Sequence, residues 1–182
     1  MKEEKTVFYP YSSWLKQRYG EKVYKLPVNL PVSCPNRCDG HGGCTFCSEK
    51  GTGFESVWQP ASVTEQMQHA RDVVAKRYKA RKFIAYFQNY TNTFMAMELF
   101  KAYLEEAAAF PDVVEISVST RPDCIRTDYL ACLAELQERT HVGINIELGL
   151  QTANYHTLDS VHRGHGLAEY IDAVLAIKRY PF

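Results

Sequence analysis

The chain has 182 residues, of which 46% are hydrophobic and 23% are charged. This length allows one domain with a real hydrophobic core, and the composition excludes disordered and collagen-like proteins. Lys plus Arg and Asp plus Glu both number 21, so no overall charge favours a polyanionic partner, although a local basic patch would suffice for one.

The sequence predicts a cytoplasmic protein without a membrane segment. No stretch approaches the roughly 20 apolar residues of a membrane span, and the first twenty residues lack the apolar core of a signal peptide. Thiols stay reduced in the cytoplasm, so clustered cysteines there favour metal binding over disulfides.

The chain order predicts an N-terminal arm over residues 1–22 and one domain over residues 23–182. The domain begins with a strand in which apolar residues alternate, at Leu26, Val28, Leu30 and Val32. Prolines 27 and 31 fall on the opposite face, which fits an interior strand poorly because proline cannot donate to a ladder.

Helices and strands then alternate. Ser62 and Glu65 form a capping box that opens the first helix. Apolar strands are predicted at 83–87, 113–119 and 142–151. The helices that follow them are marked by Met95, Leu99 and Tyr103, by a start at Thr127, and by apolar positions from Leu167 to Leu175.

Four strand–helix units predict an α/β fold with a parallel sheet, in which a doubly wound sheet and a barrel are both open. The last two strands favour the barrel, because each has one apolar and one polar face, with Glu115, Ser117 and Ser119 on one strand and Asn145 and Glu147 on the other. Strands covered by helices on both faces are apolar throughout. A complete eight-unit barrel needs about 250 residues, so we expect a partial parallel (β/α) barrel, truncated after about four units.

Cys34, Cys38, Cys44 and Cys47 lie in one glycine-rich loop. Four thiolates on one zinc ion and three thiolates on a four-iron cluster are both open from this spacing. The second arrangement leaves one iron free for a ligand. Cys124 and Cys132 stand apart and are expected to be buried free thiols.

The spacing Cys34-x9-Cys44-x2-Cys47, with Phe46 inside the last pair, resembles the cluster motif of radical S-adenosylmethionine (SAM) enzymes. It is the variant found in the Elongator catalytic subunit. The segments "YFQNYTNTF", "STRPD" and "ELGLQT" with "RGH" resemble a bacterial radical SAM family related to that subunit. Cys38 is an additional thiol in this loop.

The resemblance implies a [4Fe-4S] cluster bound by Cys34, Cys44 and Cys47, with SAM beside it and Cys38 as a non-ligand. It implies that Phe46 lies near the adenine. Gln88 and Asn89 would contact the methionine amino group, with an ordinary strand-end turn as the equal alternative.

The fourth strand carries the remaining implied cofactor contacts. Glu147 and Gln151 would reach the ribose or the amino group. Arg163 would bind the methionine carboxylate, for which a guanidinium fork is suited; an exposed charge at a helix end is the alternative. Arg121 and Asp123 are expected to pair with each other.

The implied function is a radical SAM enzyme that reductively cleaves SAM to a 5′-deoxyadenosyl radical and modifies a transfer-RNA (tRNA) wobble uridine. The implied partners are an electron donor such as flavodoxin or ferredoxin, and tRNA. A small-molecule or tetrapyrrole substrate is an alternative, because oxygen-independent coproporphyrinogen oxidases share the fourth-strand and Arg163 pattern. A zinc-stabilised four-cysteine binding module without catalysis is another.

Overall fold

The computed structural model describes residues 7–38, 40, 42–47 and 61–182. Within these residues a parallel sheet has the strand order β1-β2-β3-β4, with β1 Val23–Val28, β2 Lys82–Phe87, β3 Val113–Thr120 and β4 Gly143–Leu148. The helices described are α1 Tyr11–Tyr19, α2 Pro35–Cys38, α3 Val63–Tyr78, α4 Met97–Ala108, α5 Thr127–Thr140, α6 Tyr155–Ser160 and α7 Leu167–Ile177. The predicted α/β class and its parallel, barrel-like sheet are confirmed.

The main core lies between the outer face of the sheet and helices α3, α4 and α5. Alternate strand residues such as Leu26, Phe87 and Ile116 are fully buried there. The predicted capping box is present, because the Ser62 hydroxyl accepts from the Glu65 N–H and the Glu65 carboxylate accepts from the Ser62 N–H. Sequence periodicity therefore positioned most of the sheet-covering layer correctly.

Several details of the predicted elements were wrong. Strand β1 ends at Val28, before the predicted Leu30 and Val32, and β4 ends at Leu148 rather than at residue 151. Leu99 does not face the core, since it is 51% exposed, whereas Phe100 and Leu104 are fully buried. The helix begins at Met97 and its buried residues are Phe100, Leu104 and Ala107, while the predicted Met95 and Tyr103 pack against the core in partly buried positions. Helices α1 and α6 were not predicted; they have nine and six residues with one buried residue each, which leaves little periodicity to detect.

The inner face of the sheet is apolar at one end and polar at the other. At the amino ends of the strands, Leu15 of α1 packs on Val23 and Ile84. Helix α1 is also tied to the sheet by the Tyr19 hydroxyl, which donates to the Glu115 carboxylate at 2.6 Å. Residues 1–6 of the predicted arm lie outside the described residues.

Strand β1 pairs with β2 and is an edge strand in the described part of the chain. Proline is tolerated at sheet edges because no neighbouring strand requires its missing N–H. The edge position of β1 therefore explains how this strand can contain Pro27. None of the described helices combines the length and the apolar character required to cross a bilayer.

Candidate functional site

A cavity of about 510 Å³ opens at the carboxyl ends of the strands. Ligands of parallel barrels bind at this end. The segments after all four strands contribute to its wall, which is lined by Cys34, Arg37, Gly43, Cys44, Phe46, Cys47, Tyr86, Gln88, Tyr90, Thr91, Ser119, Thr120, Arg121, Glu147, Leu148, Gly149, Gln151 and Arg163.

The loop cysteines are not equivalent in the structure. Cys34, Cys44 and Cys47 line the cavity. Cys38 is exposed, is absent from the cavity wall, and has its Sγ 3.8 Å from the Ser33 Oγ. The single turn of α2 separates Cys38 from Cys34. The structure thus brings together the three cysteines that were expected to act as ligands and excludes the fourth.

Each cavity thiol faces the guanidinium of a different arginine. The N–S distances are 3.7 Å from Arg121 Nη1 to Cys34 Sγ, 3.5 Å from Arg163 Nη1 to Cys44 Sγ, and 3.9 Å from Arg37 Nη1 to Cys47 Sγ. The Asn36 amide also donates to Cys44 Sγ at 3.3 Å. Cationic donors stabilise negative charge on a metal-bound cysteine sulfur, so these contacts suit thiols that act as metal ligands.

Arg121 is held by the carboxylate that was expected to pair with it. Its Nε and Nη2 donate to the two Asp123 oxygens at 2.9 and 2.7 Å, which confirms the predicted pair. Burial alone would lower the pKa of Arg121, but the hydrogen bonds and charge of Asp123 outweigh it, so that pKa lies above its ordinary value. Arg121 therefore places a permanent positive charge beside Cys34.

Glu147 is the centre of a polar network that joins all four strands. Its Oε1 accepts from Lys25 at 2.5 Å, and its Oε2 accepts from Tyr86 at 2.7 Å and Ser119 at 3.2 Å. Burial would raise the pKa of Glu147, but the bonds from Lys25 and Tyr86 outweigh it and the pKa is lowered. Glu147 is therefore a carboxylate in the cavity wall at neutral pH.

Arg163 is buried, which removes the alternative of an exposed helix-end charge. Its Nη2 donates to the Gly149 carbonyl at 2.6 Å. Its Nε is buried without a hydrogen-bond partner among the described groups, and the same is true of Thr91 Oγ1 in the same wall. Buried polar atoms are normally hydrogen-bonded, so unpaired ones in a cavity wall fit a polar ligand.

The other expected cofactor contacts divide in two groups. Phe46, Gln88 and Gln151 line the cavity, as does Glu147. Asn89 is only 7% exposed and is not among the lining residues, so the structure does not bring it to the cavity. Cys124 is buried, and burial raises its pKa to about 12, as expected of an unreactive thiol; Cys132 is half-buried, with its pKa also raised by burial.

Sequence reasoning missed Arg37, Tyr86 and Thr91 as parts of the wall. Tyr86 lies two residues after Ile84 and therefore shares the inner face of β2, so strand periodicity could have predicted its position. Arg37 lies three residues after Cys34, but nothing in that spacing shows that its side chain turns towards Cys47. Such contacts depend on how the loop folds back.

Comparisons with known proteins identify the class. The model of the radical SAM superfamily matches residues 29–182, so the chain belongs to this superfamily and the resemblance of its cysteine motif is confirmed. Members of the superfamily normally bind a [4Fe-4S] cluster and SAM.

The chain is 38% identical over 169 residues to the uncharacterized protein YtqA of Bacillus subtilis, which covers 91% of this chain and 52% of that protein. It is 39% identical to protein YhcC of Escherichia coli K12 over 158 residues, which is 86% of this chain and 50% of that protein. It is 31% identical to the uncharacterized protein MJ0486 of Methanocaldococcus jannaschii over 169 residues, which is 92% of this chain and 52% of that protein. The chain thus spans about half the length of these curated relatives.

The solved structure of the archaeal Methanocaldococcus infernus Elp3 with an N-terminal deletion has a similar fold. The TM-score is 0.53 at 16% identity, over 83% of this chain and 34% of that chain. At this identity the similarity concerns the fold alone; together with the family match it confirms a partial barrel of the radical SAM type.

The donor set fits a polynuclear cluster. Within residues 7–38, 40, 42–47 and 61–182, no three His, Cys, Asp or Glu side chains gather closely enough to bind a single metal ion. An iron–sulfur cluster binds each thiolate through a different iron atom, so its ligands need to surround a shared space rather than one point. Cys34, Cys44 and Cys47 line one cavity, which is the arrangement that such ligands require.

Proposed function

We propose that this chain binds a [4Fe-4S] cluster through Cys34, Cys44 and Cys47 and binds SAM beside it, as part of a radical SAM enzyme. The observation that carries the proposal is that these three cysteines line one cavity, whereas Cys38 is exposed and is not part of the cavity wall. Together, the cluster and SAM supply one-electron cleavage of a carbon–sulfur bond and a 5′-deoxyadenosyl radical. An electron donor of the flavodoxin or ferredoxin class completes the proposed reaction.

The cavity wall supplies groups of the right chemistry to hold SAM. The unpaired Nε of Arg163 suits a carboxylate, and the unpaired hydroxyl of Thr91 can donate or accept. The negative charge of Glu147, whose oxygens accept from Lys25, Tyr86, Ser117 and Ser119, favours a cationic or hydroxyl group of the cofactor beside it. Gln88 and Gln151 add amides, and Phe46 adds an aromatic surface for the adenine.

For the substrate we propose a tRNA wobble uridine. The support is the resemblance of the cysteine spacing and flanking motifs to the Elongator catalytic subunit. The basic run over residues 76–82 does not add support, because it joins α3 to the amino end of β2 and therefore lies at the opposite end of the sheet from the cavity. The surface that receives the RNA must be sought near the cavity itself.

Cysteine variants test the cluster site. After anaerobic reconstitution, Cys34→Ala, Cys44→Ala and Cys47→Ala should each lose bound iron and sulfide, whereas Cys38→Ala should keep them. Cys132→Ala is a control for thiol removal elsewhere in the chain. Equal metal loss in all four loop variants, with zinc recovered by elemental analysis, would show a four-cysteine zinc module instead.

Product analysis tests the substrate. The reduced, reconstituted protein is incubated with SAM and an unmodified tRNA transcript, and its nucleosides are examined by mass spectrometry. The matched control is the same transcript with cytidine in place of the wobble uridine. Modification of the first transcript alone supports the proposal; turnover of a porphyrinogen in place of RNA would assign the tetrapyrrole alternative.

A further inference from the structure

We propose that Arg121 and Asp123 act as an opposed pair of charges that sets the reduction potential of the cluster through Cys34. The inference rests on the proposed function, because it requires a cluster on the cavity thiols. It adds two residues that touch neither SAM nor iron. Asp123 contacts the Arg121 guanidinium rather than a thiol, and it acts as the counter-charge of that arginine.

The geometry of Arg121 directs one of its guanidinium nitrogens to the Cys34 sulfur, and the guanidinium also interacts with the buried Cys124. Arg121 follows directly after β3 and is 4% exposed. Two of its nitrogens are occupied by Asp123, and this fork fixes the plane of the guanidinium so that Nη1 points to Cys34 Sγ. Nη2 is also close to Gly164, since a Cβ added there would lie 3.3 Å from it. The side chain has little room to turn away.

Arg121 and Asp123 also differ in how far their side chains are exposed to solvent. The Asp123 side chain is 26% exposed and the Arg121 side chain 5%, so the carboxylate reaches towards solvent and the cation is enclosed beside the thiol. A guanidinium next to a ligand sulfur stabilises the more negative, reduced cluster. The carboxylate behind it reduces that effect. Hydrogen bonds to cluster sulfurs and nearby charge are the established determinants of cluster potential.

The redox step is the one-electron reduction of the cluster from the 2+ to the 1+ state. The electron comes from a donor of the flavodoxin or ferredoxin class, or from a chemical reductant in a titration. The core charge falls by one unit and no bond forms or breaks in this step. A positive charge beside Cys34 therefore raises the potential, and a negative charge lowers it.

The other two sulfur-facing arginines are less suited to this role. Arg163 also faces the groups proposed to hold SAM, so its replacement would change cofactor binding. Arg37 is less buried and lies over the Tyr90 ring, with its guanidinium carbon 5.5 Å from the ring centroid. Arg121 has a counter-charge of its own that can be removed separately.

The chain contains a matched control. Arg126 and Asp128 repeat the Arg-x-Asp spacing five residues later and form an ion pair. Their side chains are 64% and 46% exposed, and they are not part of the cavity wall. A substitution there makes the same change of charge in the same segment without touching a thiol.

The experiment is an anaerobic redox titration followed by electron paramagnetic resonance of the reduced cluster, with iron and sulfide content measured in parallel. Arg121→Gln should lower the midpoint potential and Asp123→Asn should raise it. Each change should be on the order of tenfold in the ratio of reduced to oxidised cluster at a fixed potential, which corresponds to about 59 mV for a one-electron couple. Arg126→Gln and Asp128→Asn should leave the potential unchanged.

The opposite signs separate tuning of the potential from loss of structure. A shift in the same direction in both variants, or shifts no larger than those of the two controls, would overturn the inference. If Arg121→Gln binds no iron, Asp123→Asn decides alone, since a rise supports the inference and an unchanged or lower potential refutes it. A wild-type protein that takes up no cluster refutes the proposed function itself, which is a distinguishable result.

Discussion

Asn92 holds together the loop that follows β2, and its replacement should be among the more damaging polar substitutions. It is fully buried. Its side-chain amide donates to the Phe87 carbonyl at 2.8 Å and to the Ser119 carbonyl at 2.9 Å, and its backbone N–H also donates to Ser119, at 3.2 Å. One side chain thus joins the ends of two neighbouring strands beneath the cavity wall.

The size of the effect follows from the number of groups left unpaired. Asn92→Ala removes the side-chain donors of two carbonyls, and a buried polar group without a partner costs about 1–3 kcal/mol. Since the Ser119 carbonyl keeps its backbone bond, the Phe87 carbonyl is the one that loses its Asn92 donor, and we expect a loss of about 1–3 kcal/mol in the free energy of unfolding. That is a large fraction of the roughly 5–15 kcal/mol by which domains are stable.

Urea unfolding monitored by circular dichroism measures this loss. Asn154→Ala is the matched control, because Asn154 caps α6 from an exposed position, and it should cost about 1 kcal/mol. Asn92→Asp keeps the shape but turns an oxygen towards two carbonyls, so it should be at least as damaging as Asn92→Ala. A loss for Asn92→Ala no larger than that of the control would refute the reasoning.

Two further substitutions test the site. The pKa of Glu147 is lowered from its ordinary value of 4.5, so its ionised form stabilises the fold above that pH, and this stabilisation is lost as the pH falls through the folded pKa. Glu147→Gln should therefore have a smaller free energy of unfolding than wild type at pH 7, and the difference should shrink below about pH 4.5. A difference that does not change with pH would contradict this prediction. Gly164 has φ +73°, and a Cβ there would lie 2.5 Å from the Asn36 Oδ1. Gly164→Ala should therefore lower the melting temperature more than Gly20→Ala, because Gly20 has a similar φ of +76° but open space around it. Equal decreases in the melting temperature would show that the clash with Asn36 has no effect.

The sequence predicted the sheet well because strand periodicity is a local property. The alternation in β3 and β4 correctly separated Ile116, Val118 and Ile144 on the core face from the polar face that Glu147 and Ser119 share. Val114 was placed wrongly, because a register shift at this point of β3 lets it pack with Leu15 and Ile84 on the inner face. Helix α4 shows the limit, since apolar residues occur on adjacent positions there and only the tertiary packing chooses Phe100 over Leu99.

The cavity was predictable only in part. The carboxyl ends of parallel strands must share one edge, so the polar segments after each strand could be expected to meet. The pairing of arginines with sulfurs could not, because Arg121 and Arg163 are 87 and 119 residues away from the thiols they face. No local sequence pattern predicts a contact between residues this far apart in the chain. The burial of Asn89 likewise depends on how its loop folds and could not be predicted from the neighbouring sequence.

The contact between the cysteine loop and the segment before α7 has a consequence for the order of events during synthesis. Thr45 donates its N–H to the Val161 carbonyl at 3.0 Å, and the Asn36 amide donates to the His162 carbonyl at 2.5 Å. The thiols leave the ribosome long before the segment that completes their surroundings. The complete set of contacts around the thiols can therefore form only after Arg163 has been synthesised, which is 119 residues after the Cys44 that it faces.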